Sequence, residues 1–366
     1  RRTTIESYKS AVPMWETVLD IDALSKAENA NWVYKGVTCL APEETRCLLQ
    51  LSNGGKDAVE IREYDYKTKS FVNGGFRLSN GKQDATWLDA DTLLVGRDWG
   101  PGTMTESGYP FIAKQWKRGT KLEDAKEIYR GKATDVSAGA SVWRDADGVV
   151  QAVMFSRNPS FFESEYYLST DNGPVRLPFP LKSSPRALLA GQIVFTLEQD
   201  WTWKGTNYAQ GALLSFDLAD LKRDSANAQP TLIFMPGPRE SIEQTATTRN
   251  RLLVAIYENV KGALYSYAFA DGKWSRTKLD LPGNASIGVV STRDQDDLAF
   301  VNVAGFLEPD GLYFGDAASG KFEKVKSLPP RFDASNMTVD QYEATSKDGT
   351  KVPYFVVHKQ NIKLDG

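Results

Sequence analysis

Short runs of alternating apolar and polar residues, separated by turns rich in Asp, Asn and Gly, make up most of this chain. Alternation with a period of two predicts β-strands, because successive side chains on a strand point to opposite faces. One hairpin pattern, consisting of an apolar run, a polar turn and a second apolar run, recurs about every 45 to 60 residues. It starts at Val37, Thr86, Ser141, Ala187, Gln244 and Gly288. The pattern therefore predicts a repeated antiparallel unit.

A second hairpin follows each of the first type. The second hairpins start at Ile61, Phe111, Tyr166, Leu213, Leu264 and Leu312. Four strands per unit at this period are typical of the blades of a β-propeller, in which each blade is covered by its neighbours. Six units are clear, and a seventh would have to come from WETVLDI, which starts at Trp15, and from residues 332–343. The prediction is an all-β fold of four-stranded antiparallel blades.

Helical periodicity is scarce, and the best candidate for a helix is residues 21–29. Aromatic residues on the predicted strands are expected to pack between blade faces, because their side chains bury large areas between sheets. They are Tyr64, Trp87, Trp143, Phe195, Tyr267 and Trp274.

Composition narrows the function classes. Apolar residues make up 41% of the 366 residues, which is enough for a core and argues against disorder. The formal net charge is -3 and there is no long basic run, so nucleic acid is an unfavoured partner. No apolar window approaches the length of a membrane span, and the first ten residues, RRTTIESYKS, have no apolar signal core. A membrane is therefore not predicted as a partner either.

The two cysteines, Cys39 and Cys47, flank a turn at Pro42 in a predicted tight hairpin. This spacing allows a cross-strand disulfide, and it equally allows two buried thiols that pack as small apolar groups. A disulfide would indicate an oxidising compartment. The location of the protein stays open, with periplasmic or secreted favoured over cytoplasmic.

The chain offers no set of residues for catalysis. Its one histidine, His358, lies in the apolar strand YFVVHK, and the G-x-S-x-G motif of α/β-hydrolases is absent, since GASVW at Gly139 lacks the second glycine. A Ser-His-Asp triad therefore cannot be assembled. One His and two Cys give no tetrahedral metal site, and DQDD at Asp294 is interpreted as turn capping. No catalytic, metal or cofactor-binding residue is predicted.

Four segments resemble the prolyl oligopeptidase family of serine peptidases. They are WETVLDIDAL from Trp15, CLLQLSNGGKDAVEIREYDYKTKSFV from Cys47, LLVGRDWGPGTMTESGYPFIAKQWKRGT from Leu93, and SKDGTKVPYFVVHKQNIKLDG from Ser346. The resemblance implies a seven-bladed propeller in residues 1–338. Residues 339–366 are then the start of a return segment into an α/β-hydrolase domain, which would carry the catalytic Ser, Asp and His beyond Gly366.

The same resemblance implies that the propeller restricts access to the active site, so that short peptides are cleaved, after proline, and folded proteins are excluded. The partners implied are the hydrolase domain of the same parent chain and short peptide substrates. The chain alone would be inactive. A stand-alone protein-binding propeller is the alternative, and the tail separates the two, because the apolar strand at VPYFVVHK needs a sheet elsewhere. A propeller enzyme with central carboxylates or a metal is disfavoured by the lack of ligands.

By resemblance, one loop is a candidate gate for peptide access. The hairpin starting at Phe111 has a longer and more charged turn than its counterparts. Loops carry function more often than the elements that they connect, although an ordinary solvated turn would look the same. The candidate residues are Arg118, Gly119, Thr120, Lys121, Leu122, Glu123 and Asp124.

Overall fold

Antiparallel β-sheets form nearly all of the regular structure in the computed structural model, which describes residues 1–363. Contacts between residues divide the chain into two units. Unit 1 comprises residues 1–184 and 217–229, and unit 2 comprises residues 185–216 and the chain from residue 230 onwards. Six sheets follow one another in chain order, and each is built from two successive hairpins.

Unit 1 contains the first three sheets. Sheet 1 consists of β1 Trp32–Cys39, β2 Arg46–Asn53, β3 Val59–Asp65 and β4 Ser70–Phe71, with β5 Arg77–Gly81 also paired to β3. Sheet 2 consists of β6 Asp84–Asp89, β7 Thr92–Gly96, β8 Ile112–Lys117 and β9 Lys126–Arg130. Sheet 3 consists of β10 Ser137–Arg144, β11 Val150–Ser160, β12 Glu163–Thr170 and β13 Gly173–Arg176.

The other three sheets lie in unit 2, apart from the first two residues of β14 and the last residue of β18. Sheet 4 consists of β14 Ser183–Leu189, β15 Gln192–Leu197, β18 Leu213–Asp217 and β19 Pro230–Phe234, and a separate hairpin, β16 Trp201–Trp203 with β17 Thr206–Tyr208, precedes β18. Sheet 5 consists of β20 Glu240–Thr247, β21 Leu252–Glu258, β22 Lys261–Ala270 and β23 Lys273–Lys278. Sheet 6 consists of β24 Ala285–Thr292, β25 Leu298–Gly305, β26 Gly311–Asp316 and β27 Lys321–Ser327. The tail hairpin, β28 Met337–Thr345 with β29 Lys351–Lys359, forms a two-stranded sheet of its own.

Helices are few and short. They are α1 Ile5–Lys9, α2 Ile21–Glu28, a 3₁₀ turn at Leu122–Asp124 and α3 Leu218–Asp224. The helix predicted at residues 21–29 is confirmed as α2. Its first turn is capped by the Asp20 carboxylate, which accepts from the Ala23 N–H, and it ends at Asn29, which adopts a left-handed conformation.

Both predicted hairpin types are present in all six sheets. The seventh blade is not confirmed, because WETVLDI forms only a single bridge, between Glu16 and Arg2, and β28 pairs only with β29. The predicted hairpin at Leu213 differs in another way, since α3 is inserted between its two strands. Both leucines of the helix, Leu218 and Leu221, are buried, and this apolar pair at i and i+3 gives the helix a buried face.

Apolar clusters fill the space between consecutive sheets within each unit. One cluster joins sheets 1 and 2, and others join sheets 2 and 3, sheets 4 and 5, and sheets 5 and 6. Four of the six aromatic residues predicted to pack between blades are at most 2% exposed, namely Tyr64, Trp87, Phe195 and Tyr267. Trp143 and Trp274 are only partly buried.

The two ends of every sheet carry different kinds of chain connection. At the turn end lie the turn between the first and second strands and the turn between the third and fourth strands. At the connection end the chain reaches the first strand, passes from the second strand to the third, and leaves the fourth. In sheet 2 the turn end carries residues 90–91 and 118–125, and the connection end carries the long loop 97–111. These positions determine which loops can act together.

Candidate functional site

The two cysteines lie directly opposite each other in the first hairpin. Cys39 on β1 is the register partner of Cys47 on β2, which confirms the predicted hairpin. Their sulfur atoms are 2.02 Å apart, which is the length of a disulfide bond. Cys47 is fully buried at the turn end of sheet 1, so the covalent link closes a short loop beside the apolar cluster of sheets 1 and 2.

Reduction of this disulfide should lower the free energy of unfolding by at most about 2 to 3 kcal/mol, because the closed loop is short and constrains the unfolded chain only modestly. Urea unfolding curves of the oxidised and reduced protein measure the difference. The intact mass should rise by two hydrogens on reduction. Free thiols in the oxidised, unfolded protein would contradict the bond.

Arg118, the first residue of the candidate gating loop, is held by sheet 1. Its guanidinium donates to both carboxylate oxygens of Glu63, at 2.8 and 3.1 Å, and to the Asp91 carboxylate at 2.9 Å. The Glu63 side chain has no exposed surface, and the guanidinium carbon lies 4.4 Å from the centre of the Phe76 ring. Burial lowers the pKa of Arg118, but the hydrogen bonds and charge of Glu63 outweigh this effect and the net shift is upward. Arg118 is thus a charged link between sheets 1 and 2.

The rest of the candidate loop is a mixture of anchored and exposed residues. The Thr120 carbonyl accepts from Trp116 Nε1 at 3.1 Å, and Leu122 packs against the apolar cluster of sheets 1 and 2. The other members, Gly119, Lys121, Glu123 and Asp124, are exposed. All seven residues lie at the turn end of sheet 2, opposite the long loop 97–111. Only the exposed residues are available to a partner or a peptide.

His358 is paired with a carboxylate and not with a nucleophile. Its Nε2 is 2.7 Å from Asp340 Oδ2, across the tail hairpin, and its Nδ1 is 2.8 Å from the Lys359 carbonyl oxygen. Both contacts favour the doubly protonated ring. The Lys359 carbonyl first, and the Asp340 carboxylate second, raise the pKa of His358. In the part of the chain described, no hydroxyl or thiol is hydrogen-bonded to this imidazole, so the histidine forms part of the hairpin.

The His358 pKa is open to direct measurement. In ¹H–¹⁵N spectra of the imidazole, the pKa should lie above the ordinary value of about 6.5. Asp340→Asn should lower it, because the charged partner is removed. Any stabilisation of the hairpin by this pair is present below the unfolded-state pKa and is lost as the pH rises through the folded-state pKa. A pKa at or below the ordinary value would contradict the pairing.

The tail hairpin contacts sheets 5 and 6 at their connection ends, and part of its surface is exposed. Gln341 Nε2 donates to the Asn259 carbonyl at 2.8 Å, and the Phe355 ring lies 4.9 Å from that of Phe306. Because β28 and β29 pair only with each other, each has an outer edge without a strand partner among residues 1–363. The apolar side chains exposed on the hairpin are Tyr342, Val352, Tyr354 and Val357.

Within residues 1–363, no three His, Cys, Asp or Glu side chains are grouped so that they could hold a metal ion. The acidic turn predicted to be a capping site behaves as one, since Asp296 accepts from the Leu298 N–H, and Asp297 accepts from the N–H of Asn250. The helices of the described chain are all too short or too polar to span a bilayer.

Four-stranded antiparallel sheets that follow one another in sequence and are joined by apolar clusters define the class as a β-propeller domain. The chain belongs to the family described as the prolyl oligopeptidase N-terminal β-propeller domain, which matches residues 1–328. This confirms the resemblance seen in the sequence, including the all-β blade architecture.

Proteins of similar sequence are consistent with membership of this family. An uncharacterized peptidase of Sinorhizobium fredii is 45% identical over 371 residues, which cover 100% of this chain and 51% of that protein. An uncharacterized peptidase of Rickettsia prowazekii is 28% identical, with coverage of 100% and 52%. The chain therefore spans about half the length of these curated relatives.

Solved structures of similar fold include a post-proline cleaving enzyme from Rickettsia typhi. It matches with a TM-score of 0.87 and 27% identity, over 100% of this chain and 55% of that one. Prolyl oligopeptidase B from Galerina marginata matches with a TM-score of 0.65 over 95% of this chain and 49% of that one, and at 16% identity it shows the fold alone.

Proposed function

We propose that this chain is the substrate-gating domain of a serine endopeptidase of the prolyl oligopeptidase type, which cleaves short peptides after proline. The observation that carries the proposal is the family match over residues 1–328 in a chain that spans about half of its peptidase relatives. The chemistry is assigned to an α/β-hydrolase domain of the same parent protein. Consistent with this division, His358 contacts no nucleophile in the described chain.

The tail hairpin is the proposed junction with the hydrolase domain. Two strands with open outer edges form a sheet that is marginal alone, and strands added to either edge would satisfy the free backbone groups. Its exposed apolar side chains, Tyr342, Val352, Tyr354 and Val357, would be covered by the same partner. The predicted return segment, residues 339–366, corresponds to this hairpin from its third residue onwards, and its last three residues lie outside the described chain.

Short peptides are the proposed substrates. A domain that covers an active site excludes folded proteins by size. Some element of this domain must then admit the peptide. The candidate loop 118–124 remains our proposal for such an element, narrowed to its exposed residues. Arg118 is excluded from that role because its guanidinium is held by hydrogen bonds to Glu63 and Asp91 and by contact with the Phe76 ring.

The test of gating uses the two-domain parent. Residues 119–124 are replaced by an Asn-Gly turn and Arg118 is kept. The expected result is that kcat/KM for peptides of about 30 residues changes by roughly threefold or more, whereas kcat/KM for dipeptide reporters stays nearly constant, because only access is altered. Steady-state kinetics with both substrates give the ratio.

A control variant, Lys121→Ala with Glu123→Ala, removes two exposed charges without changing the loop length. It separates the effect of charge from that of length. Equal changes for long and short substrates in the shortened variant, or no change in either, would leave the loop as an ordinary surface turn.

A further inference from the structure

The turn that joins β21 to β22 in sheet 5 has a backbone conformation that is unusual for one of its residues. It consists of two residues, Asn259 and Val260, because Glu258 is the register partner of Lys261. Their φ angles are 50° and 61°, as in a type I′ turn. Asn tolerates a positive φ, whereas a β-branched residue is strained by it. Val260 is also 49% exposed, so burial of its side chain offsets little of this strain.

Other two-residue turns of the chain avoid this strain. Positive φ at both positions also occurs in three turns whose second residue is glycine, namely Ala190 with Gly191, Lys204 with Gly205, and Asp271 with Gly272. The last of these joins β22 to β23 in the same sheet. Among the non-glycine residues with positive φ in the described chain, Val260 is the only β-branched one. Such a residue persists only where the surrounding structure holds it, and strained residues are common at switching elements.

The tail hairpin contacts this turn through one of its faces. Gln341 and Glu343 alternate with Tyr342 on β28 and therefore lie on the same side of the hairpin. Gln341 Nε2 donates to the Asn259 carbonyl at 2.8 Å. The Glu343 carboxylate pairs with the Arg239 guanidinium, which also donates to Asn259 Oδ1 at 3.4 Å. The tail hairpin thus holds the turn directly through Gln341 and indirectly, by way of Arg239, through Glu343.

The Asn259 carbonyl links the contact with the tail hairpin to the strain at Val260. This carbonyl belongs to the peptide plane between the two turn residues. Rotation of that plane by roughly half a turn converts a type I′ turn into a type II′ turn, in which only the first central residue keeps a positive φ. The rotation would relieve Val260 and would turn the carbonyl away from Gln341. The hydrogen bond from Gln341 therefore favours the strained form of the turn.

The strand after the turn has little room to shift and so to relieve the strain in another way. Gly262 packs so closely against the backbone of β24 that a Cβ atom on it would lie 2.6 Å from the Ala285 carbonyl oxygen. The same strand, β22, is paired with β21 on one side and with β23 on the other. Rotation of a single peptide plane is therefore the least disruptive way to relax Val260.

We propose that the turn at Asn259 and Val260 is a two-state latch for the tail hairpin. In the docked state Gln341 holds the type I′ turn. In the released state the turn relaxes to type II′ and the hairpin leaves sheet 5. The strain at Val260 makes docking reversible, because release relieves it. The inference rests on the proposed function, in which the hairpin is the junction with the hydrolase domain, and the latch sets how readily that junction separates from sheet 5.

Hydrogen exchange of the 366-residue chain, followed by mass spectrometry, tests the latch. A two-stranded hairpin is marginal alone, so the amides of residues 337–359 should exchange whenever the hairpin is released. Val260→Gly removes the strain from the docked state and should slow this exchange roughly tenfold. Gln341→Met removes the donor at similar side-chain length and should speed it by about threefold or more. Exchange of β21, whose first five residues are buried, reports global stability in the same samples.

A double variant, Val260→Gly with Gln341→Met, tests the coupling between the two residues. Without the Gln341 donor the turn can relax in either state of the hairpin. Val260→Gly should therefore slow exchange of the hairpin by less than about twofold in this background. Equal slowing with and without Gln341 would mean that the strain is independent of docking, and the proposal would be overturned.

The matched control is Gly272→Val, which places the same strained residue in the other turn of β22, at the turn end of sheet 5. A Cβ atom at Gly272 meets no atom within 4 Å, so the change adds strain without a clash. Relative to β21, exchange of the tail hairpin should stay within about twofold of that in the wild type. Unchanged exchange of the hairpin in Val260→Gly or in Gln341→Met would also overturn the proposal. Since this test needs no hydrolase domain, its failure is distinguishable from a failure of gating in the two-domain parent.

Discussion

Replacing Arg118 with Met should lower the free energy of unfolding by about 3 to 5 kcal/mol, because the Glu63 carboxylate is then buried without its counter-charge. The methionine keeps an aliphatic stem over the Phe76 ring, so the loss reports mainly on the ion pair. Glu63 has no exposed side-chain surface, and its other cationic neighbour, Arg46, is 4.0 Å away. Urea denaturation monitored by tryptophan fluorescence gives the value.

The control is Lys121→Met, which removes an exposed charge from the same loop and should change the stability by no more than about 0.5 kcal/mol. A double variant, Arg118→Met with Glu63→Gln, should regain much of the loss, since a neutral amide can still accept from the Phe76 N–H. A loss below about 1 kcal/mol in the single variant would mean that the pair contributes little to stability.

The stability role of Arg118 bears directly on the gating proposal. Sequence resemblance places Arg118 in the gate together with its neighbours, whereas the structure ties it to a residue 55 positions earlier in the chain. A kinetic effect of changing Arg118 would therefore mix unfolding with gating. This is why the loop variant keeps Arg118 and alters only the residues that follow.

Local patterns were sufficient to predict the sheets. Alternation and turn residues depend on neighbours in sequence, so each hairpin could be located, including the tight one in which Cys39 lies opposite Cys47. The helix α3 was missed because its two buried leucines, Leu218 and Leu221, also fit the apolar run of a strand. Such short runs are ambiguous without tertiary context.

Long-range contacts explain the other differences. WETVLDI alternates like a strand, but its apolar residues Val18, Leu19 and Ile21 pack against sheet 1 instead of pairing with it. The Val18 carbonyl, for example, accepts a 2.6 Å hydrogen bond from the Tyr64 hydroxyl.

The isolated 366-residue chain should show no hydrolysis of fluorogenic prolyl reporters above the uncatalysed rate. Loss of the nucleophile and base of a serine peptidase typically lowers kcat by on the order of 10⁶ relative to the intact enzyme, and the chain has a single histidine, which is engaged by Asp340 and the Lys359 carbonyl. The measurement compares the chain with the two-domain parent at equal concentration. A fluorophosphonate probe, which labels activated serines, should react with the parent and leave the isolated chain unmodified by mass.

The control for this experiment is His358→Ala, which removes the only imidazole. Turnover that copurifies with the chain and disappears in His358→Ala would make His358 a catalytic base and would contradict its assignment to the tail hairpin. Turnover that survives in His358→Ala, with a serine labelled in the chain, would reveal catalysis without histidine and would refute the division of labour between this domain and a hydrolase domain. Inactivity of the chain beside an active parent is the expected result, because under the proposed function the hydrolase domain supplies all of the reacting groups.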